Sequence, residues 1–320
     1  MSRYVITGAS GHIGNNLVRY INKVEPDADI IALTRRQVTK ELDGAECTQV
    51  IGNMYERKFL EENIHEGDIV IHLAAFIDLN NRNKRIAKKV NYQMTKDICD
   101  ICLKNKVKKF VYVSSVDAIA KKNVAGKLAE PESYDYKKVH GNYAKTKARA
   151  SQYVLDAIKS NENFNASIVI PSAVIGINDY KPSAIGNVIW HVVKGRHEFG
   201  IPGGYNFVDV EDVCEAIHTV ANKWDREQYI LGGNNVTVRQ MYEAINNCMH
   251  LNKKPTIFPR FMAYIVAPFV DVINFETIKT LKQNHDYNSD KAIKNLNYHI
   301  TSFEKTIDKT VTWFKDYYGK

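Results

Sequence analysis

The chain has 320 residues, 44% hydrophobic and 25% charged, with a formal net charge of +8. That length can bury a large core and that balance is globular, which excludes a disordered or fibrous chain. The positive excess sits on scattered lysines such as Lys84, Lys88, Lys104 and Lys108, with no basic stripe interleaved with aromatics, so no nucleic-acid partner is expected. No basic-then-apolar leader precedes the first strand. The five cysteines (Cys47, Cys99, Cys102, Cys214 and Cys248) are scattered and odd in number. Both features lead to the expectation of a cytoplasmic protein without disulfides. The Cys99-x-x-Cys102 pair falls inside a helical pattern with no second pair nearby, so no metal site is expected.

In chain order, Tyr4–Thr7 reads as a buried strand that runs into Thr7-Gly8-Ala9-Ser10-Gly11-His12-Ile13-Gly14. Gly8 permits a tight turn, Gly11 removes a side chain that would block a pyrophosphate, and Gly14 lets the following helix sit close to the strand. That helix, His12–Lys23, aims its free N–H groups and positive dipole end at an anion. Thr7, Gly8, Ser10, Gly11, His12, Ile13 and Gly14 are therefore the expected cradle of a dinucleotide. The second strand, Ile30–Thr34, ends on Arg35 and Arg36, where an NAD site needs an acid for the ribose 2′-hydroxyl. Two guanidinium groups suit a 2′-phosphate instead, so NADP is expected over NAD.

Further strands are expected at Thr48–Ile51, Asp68–Ala74, Lys109–Ser114 and Ala166–Ile170. Between them lie helical patterns at Arg57–Ile64, Asn83–Asn105 and Tyr143–Ser160. This alternation predicts an α/β fold, a Rossmann-type doubly wound parallel sheet with ligands at the strand C-termini. Ser114 and Ser115 close such a strand, and a hydroxyl there can donate to a substrate carbonyl. Tyr143 and Lys147 are four apart and share a helix face. A phenol with a pKa near ~10 is a poor acid or base at neutral pH, and moving it ~3 units takes about 4 kcal/mol. The Lys147 ammonium, with the charge of an oxidised nicotinamide, is expected to lower it. Ser115, Tyr143 and Lys147 are the expected catalytic set, with Lys147 also placed to hold ribose hydroxyls.

From Pro171 the pattern breaks into shorter pieces, which predicts a smaller, mostly helical substrate-binding part at 171–205 and 233–320. The dinucleotide domain is expected at 1–170, with 206–232 returning to it. Ile257–Ile273 is the most apolar stretch, but Pro259, Arg260, Pro268 and Asp271 interrupt it and it is too short for a membrane span. It reads as a cap, Thr256–Phe275, over a pocket shared with Val116–Asn142 and Ser172–Gly204. Asp117, His140, Asn142, Trp190 and Phe207 are candidate substrate walls.

Taken together, several motifs resemble those of the extended short-chain dehydrogenase/reductases over nearly the whole chain. They are Thr7-Gly8-x-x-Gly11-x-x-Gly14, His72-Leu73-Ala74-Ala75, Val90-Asn91, Ser114-Ser115, Tyr143-x-x-x-Lys147, Pro171-Ser172-Ala173-Val174-Ile175-Gly176 and Val208-Asp209-Val210-Glu211-Asp212-Val213. The resemblance implies that Ser115, Tyr143 and Lys147 are the catalytic triad and that Leu73, Ala74 and Ala75 line the middle of the cofactor. It also implies that Asn91 and Ser114 support the cofactor side, and that Pro171 and Val174 border the nicotinamide. Asn53 and Met54 stand where the family has an acid and an apolar residue, and Asn53 can still offer its amide oxygen to an adenine amine. Ile170 stands where many relatives have arginine.

The arginine-ended second strand and apolar cap resemble the dihydroflavonol-reductase branch, which implies NADPH-dependent reduction of a small-molecule aldehyde or ketone. The alternative is a sugar-nucleotide epimerase or dehydratase. Epimerases of this type hold NAD tightly, in conflict with Arg35 and Arg36, and dehydratases place an aspartic acid where Val116 stands, although Asp117 is next. A third reading, a non-catalytic NADP-sensing protein, conflicts with the intact Ser115, Tyr143 and Lys147. The resemblance also implies a homodimer through the helices carrying Asn91 and Tyr143.

Overall fold

Short apolar strands alternate with amphipathic helices through the first half of the chain, and the strands pair in parallel. The computed structural model describes all residues except 79, 122–125, 197–198, 260–280, 282–285 and 320. The order is β1 (Arg3–Thr7), α1 (His12–Val24), β2 (Asp29–Thr34), β3 (Thr48–Ile51), α2 (Arg57–Glu61) and β4 (Ile69–His72). Then come α3 (Lys84–Ala87), a π-helical segment (Lys88–Gln93), α4 (Met94–Lys104), β5 (Lys109–Val113), a 3₁₀ turn (Val116–Ala118), α5 (Asn142–Ser160) and β6 (Ala166–Pro171).

The second half adds β7 (Ala173–Ile175), α6 (Ala184–Val193), β8 (Phe199–Gly200), β9 (Gly204–Asp209), α7 (Val210–Ala221), β10 (Gln228–Leu231) and β11 (Asn234–Thr237). It continues through α8 (Val238–Cys248), β12 (Thr256–Ile257), α9 (Asp290–Leu296) and α10 (Phe303–Tyr318).

The large sheet has seven strands in the order β10-β6-β5-β4-β1-β2-β3, and every pairing in it is parallel. Strand order reverses at β1, between β2 and β4, and the crevice beyond the carboxyl ends of β1 and β4 is where an open α/β sheet binds ligands. Both faces are covered, as a parallel sheet requires. Val5, Val70, Phe110, Tyr112, Ile168 and Ile170 point into one core with α4 and α5. Their strand neighbours Tyr4, Ile6, Ile69, Ile71, Val111 and Val169 point into the opposite core with α1 and α7. A smaller sheet, β11-β9-β7, supports a third core built from α6, α8 and α10 around Ile189, Phe207, Ile245, Val311 and Phe314.

The helical pattern over Asn83–Asn105 is not one α-helix but α3, the π-helical segment and α4 in succession. The widened segment carries Asn91, whose side chain is committed to partners outside the helix, and π-segments of this kind recur at functional sites. The cap expected at Thr256–Phe275 falls from residue 260 onward outside the described residues. Among the described residues no helix is long and apolar enough to cross a membrane, and no group of three metal-ligating side chains gathers.

Candidate active site

The glycine turn sits at the reversal point. Gly8 has φ +78°, and a Cβ there would lie 2.6 Å from the Ala74 nitrogen, so only glycine lets the turn touch the segment after β4. A Cβ on Gly14 would lie 2.1 Å from the Gly8 oxygen, which is why α1 can lie this close to β1. Gly11 is exposed and caps α1 without a side-chain hydrogen bond, so no capping side chain occupies the first-turn N–H groups. These features fit a pyrophosphate cradle. A Gly14→Val variant must displace backbone, with an expected cost of about 1–3 kcal/mol. Thermal denaturation checks that cost, and calorimetry should show dinucleotide affinity falling in parallel.

His12 and its neighbours hold a loop. The His12 Nε2–H donates to the Ile177 carbonyl at 3.0 Å, and Asn15 and Asn16 donate to Asn178 and Ile177 at 3.1 and 3.0 Å. The loop after β7 is thereby pinned to the start of α1. Ser10 and Ile13 are half-buried beside it.

Arg35 and Arg36 are exposed just beyond β2, which lies next to β1 with Leu33 opposite Thr7. Arg35 is within 3.4 Å of the Tyr55 hydroxyl. Asn53 is exposed, but its amide is engaged locally: Nδ2 donates to Glu56 at 2.7 Å and Oδ1 accepts from the Tyr55 N–H at 3.1 Å. Met54 is buried in the core against α4. After β4, Leu73 and Ala74 are half-buried and Ala75 is exposed, so the segment borders the crevice. The Leu73 N–H donates to the Thr7 carbonyl at 3.1 Å. Pro171 ends β6 buried, and Val174 in β7 packs on the core beside α1 and α7.

The two serines after β5 have different partners. Ser114 is buried, with its Oγ 2.6 Å from the Ser151 Oγ, so its hydroxyl is committed to α5. Ser115 is half-buried; its Oγ accepts from the Asp117 N–H at 3.2 Å, capping the 3₁₀ turn, and its hydroxyl is near enough to Tyr143 to favour the ionised phenol. Lys147 is buried, donates to the Val113 carbonyl at 2.7 Å and lies 4.9 Å from the centre of the Tyr112 ring. The structure thus gathers Ser115, Tyr143 and Lys147 at the carboxyl end of β5.

The electrostatics differ from the expectation that Lys147 draws the Tyr143 phenol down. Burial pushes Tyr143 up, the Asp117 carboxylate adds to this, and only the Ser115 hydrogen bond opposes it. The Lys147 ammonium is directed at a main-chain carbonyl instead, and burial lowers its pKa to about 7.

Of the substrate-wall candidates, Asp117 lies in this cluster, with its Oδ1 3.1 Å from the Lys121 Nζ. Asn142 is half-buried at the start of α5 and donates to Asp78 at 2.8 Å, tying the helix to the segment after β4. His140 is exposed. Phe207 and Trp190 are spent elsewhere: Phe207 is 2% exposed in the third core, and Trp190 stacks on Phe314 at 5.9 Å.

Sequence reasoning passed over Lys121, whose side chain is 5% exposed, together with Tyr287, whose ring centre lies 5.7 Å from the Lys121 ammonium. Helical i,i+4 spacing from Asp117 was the one available signal, and it lay in a stretch read as loop. Thr95 and Thr146 were also missed, although each lies three or four residues along a helix from Asn91 or Tyr143.

A family model described as the NAD dependent epimerase/dehydratase family matches residues 4–232. The chain is 25% identical over 327 residues to sterol demethylase protein B of Methylococcus capsulatus, covering 98% of each. It is 26% identical over 333 residues to a putative dihydroflavonol 4-reductase of Synechocystis, covering 98% of this chain and 95% of the relative. The crystal structure of gox2253 superposes with a TM-score of 0.85 at 24% identity, covering 99% of this chain and 98% of that one. With its reversed-order parallel sheet and its glycine turn at β1, this chain belongs to the NAD-dependent epimerase/dehydratase family, as an extended short-chain dehydrogenase/reductase.

Proposed function

We propose that the protein is an NADPH-dependent reductase of an aldehyde or ketone. The observation that supports this best is Tyr143. It stands at the start of α5 beside Ser115, which follows β5, and one helical turn before Lys147, whose ammonium is anchored on the last carbonyl of β5. A bound nicotinamide dinucleotide supplies the hydride in this reading. Ser115 donates a hydrogen bond to the substrate oxygen, and Tyr143 gives that oxygen its phenolic proton as negative charge develops. Lys147, held at the Val113 carbonyl, keeps a positive charge behind the tyrosine as that proton leaves.

The names of two relatives, a sterol demethylase protein and a putative dihydroflavonol 4-reductase, favour a ring-bearing, largely apolar substrate. The dinucleotide-binding part is read as 1–170 with 206–232, and the substrate part as 171–205 with 233–320. Two copies are read as pairing through the helical stretch that carries Asn91 and through α5, which carries Tyr143.

Preference for NADP rests on Arg35 and Arg36, which are exposed after β2 with no carboxylate at the strand end. Replacing both by serine (Arg35→Ser with Arg36→Ser) is expected to weaken NADPH binding by about 10²–10⁴-fold, at ~1.5–3 kcal/mol for each of two charge-assisted contacts, and to leave NADH binding nearly unchanged. Calorimetric titration of both nucleotides checks this. Purified protein that retains NAD, or that prefers NADH before mutation, would overturn the NADP reading and favour an epimerase-type internal redox cycle.

A further inference from the structure

We propose that a directional chain of buried side-chain hydrogen bonds, centred on a neutral Nε2–H tautomer of His72, positions the catalytic helix from the phosphate turn. The inference rests on reading Thr7–Gly14 as the dinucleotide turn and α5 as the catalytic helix.

Five residues from separate segments make the chain: Thr7 at the end of β1, His72 at the end of β4, Thr95 on α4, Asn91 in the π-helical segment and Thr146 on α5. They are 0%, 0%, 1%, 0% and 7% exposed, so their donors and acceptors must be matched within the protein. Thr95 donates its only hydroxyl proton to the Asn91 carbonyl at 2.9 Å. With that proton on the Asn91 carbonyl, which can only accept, the 2.9 Å contact between His72 Nε2 and Thr95 Oγ1 runs from an Nε2–H to the oxygen.

A neutral imidazole carries one N–H, so Nδ1 is an acceptor and the Thr7 hydroxyl, 2.6 Å away, donates to it. That leaves the Thr7 oxygen to accept from the Ala74 N–H at 3.4 Å. Further along, Asn91 accepts from the Phe76 N–H at 2.7 Å and donates to the Phe76 carbonyl at 2.9 Å and to Thr146 at 3.0 Å. The Thr146 hydroxyl passes its proton to the carbonyls of Asn142 at 2.8 Å and Tyr143 at 2.9 Å. Every proton between the turn and Tyr143 has an assigned direction, apart from the choice between those last two carbonyls.

The surroundings keep this direction. Tyr112 stacks on His72 with ring centres 5.8 Å apart, and Lys147 lies on Tyr112. Burial, followed by the Lys147 charge, lowers the His72 pKa to about 3. An imidazolium would need Nδ1 to donate to Thr7, which would strand the Thr7 proton.

The chain also brackets the segment that borders the crevice. Ala74 is held by Thr7 at one end and Phe76 by Asn91 at the other. A change at the glycine turn is therefore shared by that segment and the first turn of α5. His72, Thr95 and Thr146 are positioning residues, since they act through Thr7, Asn91 and Tyr143.

The experiment combines a tautomer measurement on the unmodified protein with one substitution. In ¹⁵N-histidine NMR, His72 is expected to show the Nε2–H pattern and not to titrate near the ordinary histidine pKa of ~6.5. An Nδ1–H pattern, or titration in that range, would overturn the proposal without any variant having to fold. Thr95→Val keeps the shape but strands the buried His72 N–H. It is expected to weaken NADP⁺ binding by about tenfold, with Thr95→Ser restoring it. A lower Tm with unchanged NADP⁺ affinity would reduce the chain to a structural role. Unmodified protein that binds neither NADP⁺ nor NAD⁺ would instead refute the dinucleotide reading.

Discussion

Replacing Tyr143 by phenylalanine is expected to lower turnover by about 10²–10⁴-fold, the usual contribution of a positioned acid, while dinucleotide affinity stays near that of the unmodified protein. The ring remains in its half-buried place at the start of α5, and only the hydroxyl that meets Ser115 is removed. Because burial and Asp117 hold the phenol above its ordinary value, Tyr143 keeps its proton until negative charge develops on the substrate oxygen. Tyr143 then keeps its proton well into the alkaline range, so reduction should decline above about pH 7 as Lys147 loses its charge, while the reverse oxidation needs alkaline pH. Steady-state rates in both directions, with binding measured separately, check this. A Tyr143→Phe variant with undiminished turnover would remove the tyrosine from the mechanism.

Lys147→Met is expected to give the other large effect, with an unusual sign. Turnover should fall by at least about 10²-fold, because the cation behind Tyr143 is lost. Stability near pH 6 should rise. Burial lowers the lysine from its ordinary value of 10.5 to about 7, which corresponds to roughly 4–5 kcal/mol of cost for keeping it charged in the folded chain. Below pH 7 both folded and unfolded states carry the proton and the whole cost is felt. Between pH 7 and 10.5 the unfolded state binds more protons than the folded one, so stability rises with pH as the cost is relieved. A methionine of similar length lacks that cost but forfeits the bond to Val113, so the net gain is smaller, about 2–5 °C in Tm at pH 6. The gap between the two proteins should shrink above pH 7 and reverse before pH 10, because the relief of the buried charge exceeds that net gain, and a gap that stays flat with pH would refute the buried-charge account.

Legibility followed the range over which each property acts. The strand Tyr4–Thr7, the glycine spacing and the four-residue step from Tyr143 to Lys147 are local patterns, and the structure shows the strand and helices that carry them. The alternation of apolar runs and amphipathic stretches was enough for the doubly wound sheet, because a parallel strand buried on both faces has few other places to go. Helix interruption was not legible. Periodicity over Asn83–Asn105 looks continuous, yet Asn91 and Thr95 divert their side chains to Phe76, Thr146 and His72, and the backbone widens between α3 and α4.

The chemistry divides along the same line. Residue identities and short spacings by themselves marked Ser115, Tyr143, Lys147 and the arginines after β2 as candidates, because hydroxyl, phenol, ammonium and guanidinium groups carry their chemistry with them. Their state was decided only by tertiary structure. Burial turned Lys147 toward the Val113 carbonyl and raised Tyr143 instead of lowering it, since desolvation depends on everything packed around a group. Only the folded chain set Ser114 against Ser151, Lys121 beside Asp117, and His72 between two threonines 88 positions apart. Hydrogen-bond direction belongs to a closed network, and no single stretch of sequence contains that network.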